Sequence, residues 1–514
     1  MLYVLLLIFI IAFVIPVIYH FAKEITHWLL SFFLLFALVY IIPYGSQIKS
    51  NPIYLKYDWL PSLNIFFEIY IDGLSFIFAI LIIFIGSLII LYSGIYLREK
   101  ENLSRYYLYM FMFAGSMLGI VISGNLIMIF IFWELTSVSS FFLIGYYSKK
   151  DTSIYSAQQA LIVTGFGGLA LLAGFIIIYL LTGTFSLKEL SSHRETIIFS
   201  NFYLPLLLLI FLGCFTKSAQ MPFHFWLPNA MVAPAPVSAY LHSATMVKAG
   251  IFLLLRVFPF IGDTALWKYI LTFVGMVTML LGAFISAKKT DMKQILAFST
   301  ISSLGGMVAL IGLSTQYAIQ AAILYFLAHA LYKASLFLSA GVIEHYTHTR
   351  NIETLKGLYK TAPFLSIIAF ASALSQSGIP PLFGYYAKEI SYKAIVDTDF
   401  LVWAVAIVFL ISNIFLLCSA FLVGYKPFVG SYEKRRIIVN PLFLVSPFIL
   451  SSLSLLNSFI PDTINNSIIN PAVSASLGTR VNLDISFWPG FSVPLVLSIF
   501  FTIISYKEKG ANAC

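Results

Sequence analysis

Cysteine, charge and long polar stretches are all scarce in this 514-residue chain. Its three cysteines, Cys214, Cys418 and Cys514, form no CxxC pair and no ligand cluster. That spacing argues against an iron-sulfur centre, a haem attachment site or a disulfide framework. No metal and no cofactor is therefore expected, and any redox chemistry would belong to a partner. Whether the chain is part of an enzyme stays open. Charged residues make up only 10% of the sequence against 60% hydrophobic ones, far from the composition of a soluble globular domain. No stretch is left over for a soluble catalytic domain.

What the sequence does have is apolar runs of about 17 to 25 residues, each long enough to span a bilayer as a helix. The pattern predicts an all-α, polytopic membrane protein with about fifteen transmembrane helices. They lie near 2–19, 27–43, 73–96, 106–122, 124–147, 156–182, 203–232, 237–258, 265–287, 293–313, 317–344, 362–396, 400–425, 440–460 and 486–506. The first run lacks a basic leading region and a small-x-small cleavage site, so it reads as a retained span.

A net charge of +9 raises the question of nucleic acid, but the positions of the cations argue for lipid instead. They gather in loops after odd-numbered spans, as at Arg98, Lys100 and Arg105, at Lys288, Lys289 and Lys293, and at Lys434, Arg435 and Arg436. By the positive-inside rule this predicts a cell-membrane protein with its N-terminus outside and its C-terminus cytoplasmic.

Two spans are too long and too interrupted for simple helices. The seventh holds Pro222 and Pro228 and leads into Pro234 and Pro236; the twelfth holds Gly378, Pro380, Pro381 and Gly384. Proline removes a backbone donor, and a broken backbone at membrane depth is tolerated only inside protein or along a wet cavity. The breaks lie five spans apart. Because five is odd, two five-helix units would run in opposite directions, the geometry of inverted repeats. The expected division is N-terminal helices over 1–105, a first repeat over 106–260, a second over 261–425 and C-terminal helices over 426–514. The stretch GFGGLA, Gly165 to Ala170, has the outline of a dinucleotide fingerprint but sits inside a span with no strand before it. Its small residues, like those of GSMLG at Gly115 to Gly119, instead predict close helix approach.

Five cations fall inside spans: Lys217, Lys248, Arg256, Lys333 and Lys388. Each central charge costs about 2.5 to 3.5 kcal/mol on insertion scales, so it needs a reason to be there. Arg256 precedes Pro259 and Gly262, which reads as a helix end where a long side chain snorkels; replacing it should be mild. Lys217, Lys248 and Lys333 lie too deep for that. Lys388 follows the second break, with Glu389 either its partner or facing another side. Glu134, in IFWELTSVSSFF, is the one deep carboxylate of the first half, and its expected counter-charge is Lys217. A purely structural ion pair is the alternative. His329 and Lys333, four apart, share a helix face, whereas His242 and Lys248, six apart, point in different directions. His224 reads as structural. Burial disfavours the charged form of a lysine and a nearby carboxylate favours it, so such a line can take up and shed protons.

At these residues the chain resembles the antiporter-like subunits shared by Mrp-type Na+/H+ antiporters, respiratory complex I and membrane-bound hydrogenases. The likeness covers roughly 60 to 430, and the wording of KSAQMPFHFWLPNAM and PVSAYLHSATMVKAG is closest to the large A-type subunits of Mrp antiporters. The resemblance implies that Glu134 is an essential glutamate and Lys217 its partner on the broken helix. It makes His242 and Lys248 linking residues, His329 and Lys333 a central relay, and Lys388 an exit-side lysine. Asp72, in IDGLSF, matches a family acid and is a possible ion site. The implied function is H+ translocation coupled to Na+, beside other membrane subunits of a multi-subunit complex. A proton- or sodium-pumping module of a redox complex, of ferredoxin-driven hydrogenase, sulfur-reducing or NADH dehydrogenase type, is the alternative. A structural subunit with a vestigial channel is the third reading. The sequence ends at Cys514, where A-type subunits continue into a long extension; a split subunit or a redox-driven module accommodates that expectation.

Overall fold

In a computed structural model, residues 1–63, 65–98, 103–430 and 439–485 are described. The span expected near 486–506 lies outside them. Among the described residues, eleven helices are long and apolar enough to cross a membrane, as in a multi-pass membrane protein. The described residues form two compact units, one within 1–270 with 466–482, the other within 271–465 with 483–485.

The first unit begins with α1 (Leu2–Ala22) and α2 (Thr26–Ile41), whose exposed Tyr3, Phe13, Phe32 and Phe36 suit a lipid-facing surface. A hairpin of β1 (Ile53–Leu60) and β2 (Ile65–Ile71) follows, paired antiparallel from Ile53↔Ile71 to Leu60↔Ile65. It is a local exception to the helical fold expected. The alternating aromatic and branched residues of IYLKYDWL and IFFEIYI favour pleated backbone, and both segments are too short and too charged to span a bilayer.

Next come α3 (Gly73–Tyr96), α4 (Leu103–Ile122), α5 (Leu126–Ile144) and α6 (Asp151–Thr182). The seventh expected span is α7 (Tyr203–Lys217) followed by a run of short turns; α8 (Ala249–Ile261) completes the eighth. Gly119 of the GSMLG stretch does admit a neighbour, for a Cβ there would overlap the Phe132 ring.

The second unit holds α10 (Met292–Leu313) and α11 (Gln316–Thr347), both buried over their whole apolar length. The α9 helix (Ala265–Lys288) precedes them. Gly275 and Gly305 let α9 and α10 touch backbone to backbone, since a Cβ on either would overlap main-chain atoms of the other helix. The twelfth expected span is likewise in two pieces, α12 (Pro363–Ser377) and α13 (Gly384–Val396), before α14 (Val402–Gly424) and α15 (Leu442–Phe459).

One set of bonds occurs in each unit. Thr182 Oγ1 donates to the Ile178 and Thr184 carbonyls, the Leu126 amide to the Phe185 carbonyl, and Asn125 caps α5. In the second unit Thr347 Oγ1 donates to the Ile343 and Thr349 carbonyls, the Met292 amide to the Arg350 carbonyl, and Asp291 caps α10.

Candidate functional site

Lys217 is the last residue of α7, and the backbone beyond it turns through Ala219 at φ 50 before the prolines. A helix C-terminus leaves carbonyls unpaired and carries partial negative charge, which suits a cation. The Lys217 side chain is wholly buried; Nζ donates to Ser137 Oγ at 2.7 Å and to the Trp133 carbonyl at 3.1 Å. Both acceptors flank Glu134 on α5, so amine and carboxylate share one helix turn. Among the described residues no ion pair joins them. Glu134 Oε1 is buried without a hydrogen-bond partner. It lies against α6, where a Cβ on Gly168 would overlap it, while a Cβ on Gly167 would overlap Thr216 Oγ1. Gly167 and Gly168 of GFGGLA therefore make room for the residues around the charge as well as for helix contact.

The indole of Trp226 connects this turn to the next element. Its Nε1 donates to the Thr216 carbonyl at 2.9 Å, and its ring lies 6.2 Å from the buried His242 ring. His242 sits in a π turn, Tyr240–Ala244, and Lys248 closes a 3-10 turn, Met246–Lys248, with Thr245 between them at φ −129. The eighth span is thus irregular where regular helical spacing was expected, so the angle of two residues six apart does not apply. Lys248 is fully buried. His224 is half-buried in the short turn after Pro222.

In the second unit the α11 residues Tyr325, His329 and Lys333 recur every four positions on one buried face. The hydroxyls of Ser299 and Ser303, also four apart on α10, meet this face. Lys333 Nζ donates to Ser299 Oγ and lies 3.5 Å from the Leu296 carbonyl, while Tyr325 donates to Ser303 Oγ at 3.1 Å. Lys388, on α13, reaches back across the break to the Ser377 carbonyl at 2.8 Å, the final residue of α12. Gly378 stands beneath it at φ 74, where a Cβ would overlap the Lys388 stem. Sequence reasoning missed Ser137, Ser299 and Ser303. Their four-residue distance from Trp133 or from each other was visible, but not which helix would face them.

Arg256 differs from the expectation of snorkelling. Its side chain is 4% exposed and grips Asp72 with both terminal nitrogens, Nη2 at 2.9 Å from Oδ1 and Nη1 on Oδ2. Nη2 also donates to Ser75 Oγ at 2.7 Å, and the guanidinium lies within 5.5 Å of the Tyr70 and Phe252 rings. The reason is that α8 continues through Pro259 to Ile261, so Arg256 is not at a helix end. Asp72, the possible ion site, is engaged by this arginine and also caps α3 through the Ser75 amide at 3.0 Å. A further cation, Lys293, was expected in a loop. It lies in the first turn of α10, 2% exposed, 3.0 Å from Glu344.

Among the described residues no group of His, Cys, Asp or Glu is arranged to hold a metal ion. Two family signatures match the chain. One, described as NADH:quinone oxidoreductase/Mrp antiporter, TM, covers 123–425; the other, described as NADH-Ubiquinone oxidoreductase (complex I), chain 5 N-terminus, covers 59–107. The A-type subunit of the Na(+)/H(+) antiporter of Alkalihalophilus pseudofirmus is 39% identical over 527 aligned residues, spanning 96% of this chain and 66% of that protein. Its namesake from Bacillus subtilis is 38% identical over 529, with the same coverage of 96% and 66%. A chain in the solved Mrp complex from Dietzia sp. DQ12-45-1b matches with a TM-score of 0.88 at 32% identity, over 99% of this chain and 56% of that one. The chain thus spans just under two thirds of the length of the first two and a little over half of the third.

Proposed function

The chain belongs to the NADH:quinone oxidoreductase/Mrp antiporter family, and from that premise we propose that it is an ion-translocating subunit of a multi-subunit membrane complex. It moves H+ along a line of Glu134, Lys217, His242, Lys248, His329, Lys333 and Lys388, coupled to Na+. The observation that carries this reading is the setting of Lys217, Lys333 and Lys388. Each buried amine meets a hydroxyl or carbonyl oxygen, and two of the three do so at the end of a broken half-helix, so each can hold or release a proton with little motion of the backbone. The repeated capping bonds of the two units support reading 106–260 and 261–425 as five-helix repeats, between N-terminal helices over 1–105 and C-terminal helices over 426–514. An odd number of spans per repeat makes them inverted, and the cation bias sets the N-terminus outside and the C-terminus in the cytoplasm. Asp72 takes part as the anchor of Arg256.

The names of the two antiporter relatives favour Na+/H+ exchange over a redox-driven pump, which would use the same residues. The test is made in everted membrane vesicles from cells carrying the chain with its full set of companion subunits. After a pH gradient is established, added Na+ is expected to collapse it, and to fail to do so in vesicles lacking this chain. A gradient that responds to an electron donor instead of Na+, with iron-sulfur subunits co-purifying, would replace the antiporter reading by the redox one.

A further inference from the structure

The helices α6 and α11 are both 32 residues long, and both end at a residue in the left-handed region, Gly183 and His348. Gly168 lies 17 positions into the first (151 to 168) and Lys333 lies 17 positions into the second (316 to 333). In the second unit, then, this position sends a lysine from α11 to Ser299 on α10. In the first unit the same position is a glycine, and the polar group comes the other way: Glu134 on α5 extends toward α6 and places Oε1 where a Cβ of residue 168 would be. The ring of Trp133 closes the space, with its Cδ1 3.4 Å from that Cβ position.

Building on the ion-translocating role of Glu134, we infer that Gly168 is a positioning residue for it, holding the carboxylate in the turn that Lys217 reaches. A side chain as small as a methyl group at 168 expels the carboxylate, and a group displaced by about 1 Å from its partner can lose about 100-fold in proton transfer. Gly165, three residues earlier on α6, is the internal control, since a Cβ there would have Glu134 Oε2 as its one near neighbour, at 4.0 Å. Helix propensity runs against any other explanation of a loss. Alanine for glycine inside a helix is otherwise favourable by about 0.8 to 1.0 kcal/mol.

The experiment measures transport and thermal midpoint on the assembled complex, with wild type, Gly165→Ala, Gly168→Ala, Glu134→Ala, Glu134→Asp and the doubles combining each Glu134 substitution with Gly168→Ala. Gly168→Ala is expected to lose transport about tenfold or more, while Gly165→Ala stays near wild type. Gly168→Ala is also expected to give a lower thermal midpoint, relative to its parent, in the wild-type background than in the Glu134→Ala background, where nothing remains to collide. Where Glu134→Asp retains transport, that shorter acid restores function to Gly168→Ala. Wild-type transport in Gly168→Ala, or an equal midpoint loss in both backgrounds, would overturn the inference. Undiminished transport in Glu134→Ala would instead overturn the proposed function of the line, so the two failures are separable.

Discussion

Lys217→Ala is expected to lower H+ movement by about 100-fold or more, the range lost when a proton-transferring side chain is removed, with the complex still assembled. Transport fails because the buried amine is the group that faces the turn carrying Glu134. Assembly survives because the oxygens it leaves are already provided for. The Trp133 carbonyl also accepts from Thr136 at 2.7 Å and from Ser137 at 3.3 Å, so no buried acceptor is stranded. Glu134 Oε1 has no hydrogen bond to lose, since it is already without a partner. Lys217→Arg separates charge from proton exchange. A guanidinium keeps the charge but does not release its proton, so this variant is expected to be as inactive as the alanine one. Flux in vesicles, normalised to assembled complex, checks both, and full transport in the arginine variant would mean that a fixed charge suffices.

Arg256→Ala is expected to act on the fold. Removing one partner from a buried, hydrogen-bonded ion pair costs about 3 to 5 kcal/mol because the other charge is left uncompensated. Here the stranded group, Asp72, also caps α3, so the damage reaches the start of that helix. The predicted result is less assembled complex in the membrane and a lower thermal midpoint. The double variant Arg256→Met with Asp72→Asn should recover much of the loss, since neither member is then charged. A single variant that assembles and melts like wild type would show that the pair contributes nothing.

The elements that the sequence made legible are those governed by one local property. Hydropathy pointed to a multi-pass helical chain, and proline with glycine pointed to the breaks at 218–225 and 378–383, because each acts on the backbone where it stands. Lys217, Lys248, Lys333 and Lys388 stood out for the same reason, as charges within apolar runs. What was not legible depends on partners distant in sequence. Asp72 and Arg256 are 184 residues apart, and only the local Pro259 suggested a role for the arginine. Lys293 read as a loop cation because its carboxylate, Glu344, lies at the far end of α11. The hairpin was overlooked because its strands are short and charged enough to pass for linkers between spans, and only their pairing gives them a form. GFGGLA predicted close approach, but what approaches Gly168 is a carboxylate from another helix, and no periodicity reports that.

The central claim is that the lysines act in series, so that the second unit is as necessary as the first. Lys333→Ala tests it most directly, because it lies in the other unit from Glu134 and Lys217, while the oxygens its amine meets, on Ser299 and the Leu296 carbonyl, keep partners of their own on α10. The measurement is Na+-dependent H+ flux in everted vesicles holding equal amounts of assembled complex. The account predicts that Lys333→Ala falls to the same background as Lys217→Ala. Flux at the wild-type level in Lys333→Ala would contradict it.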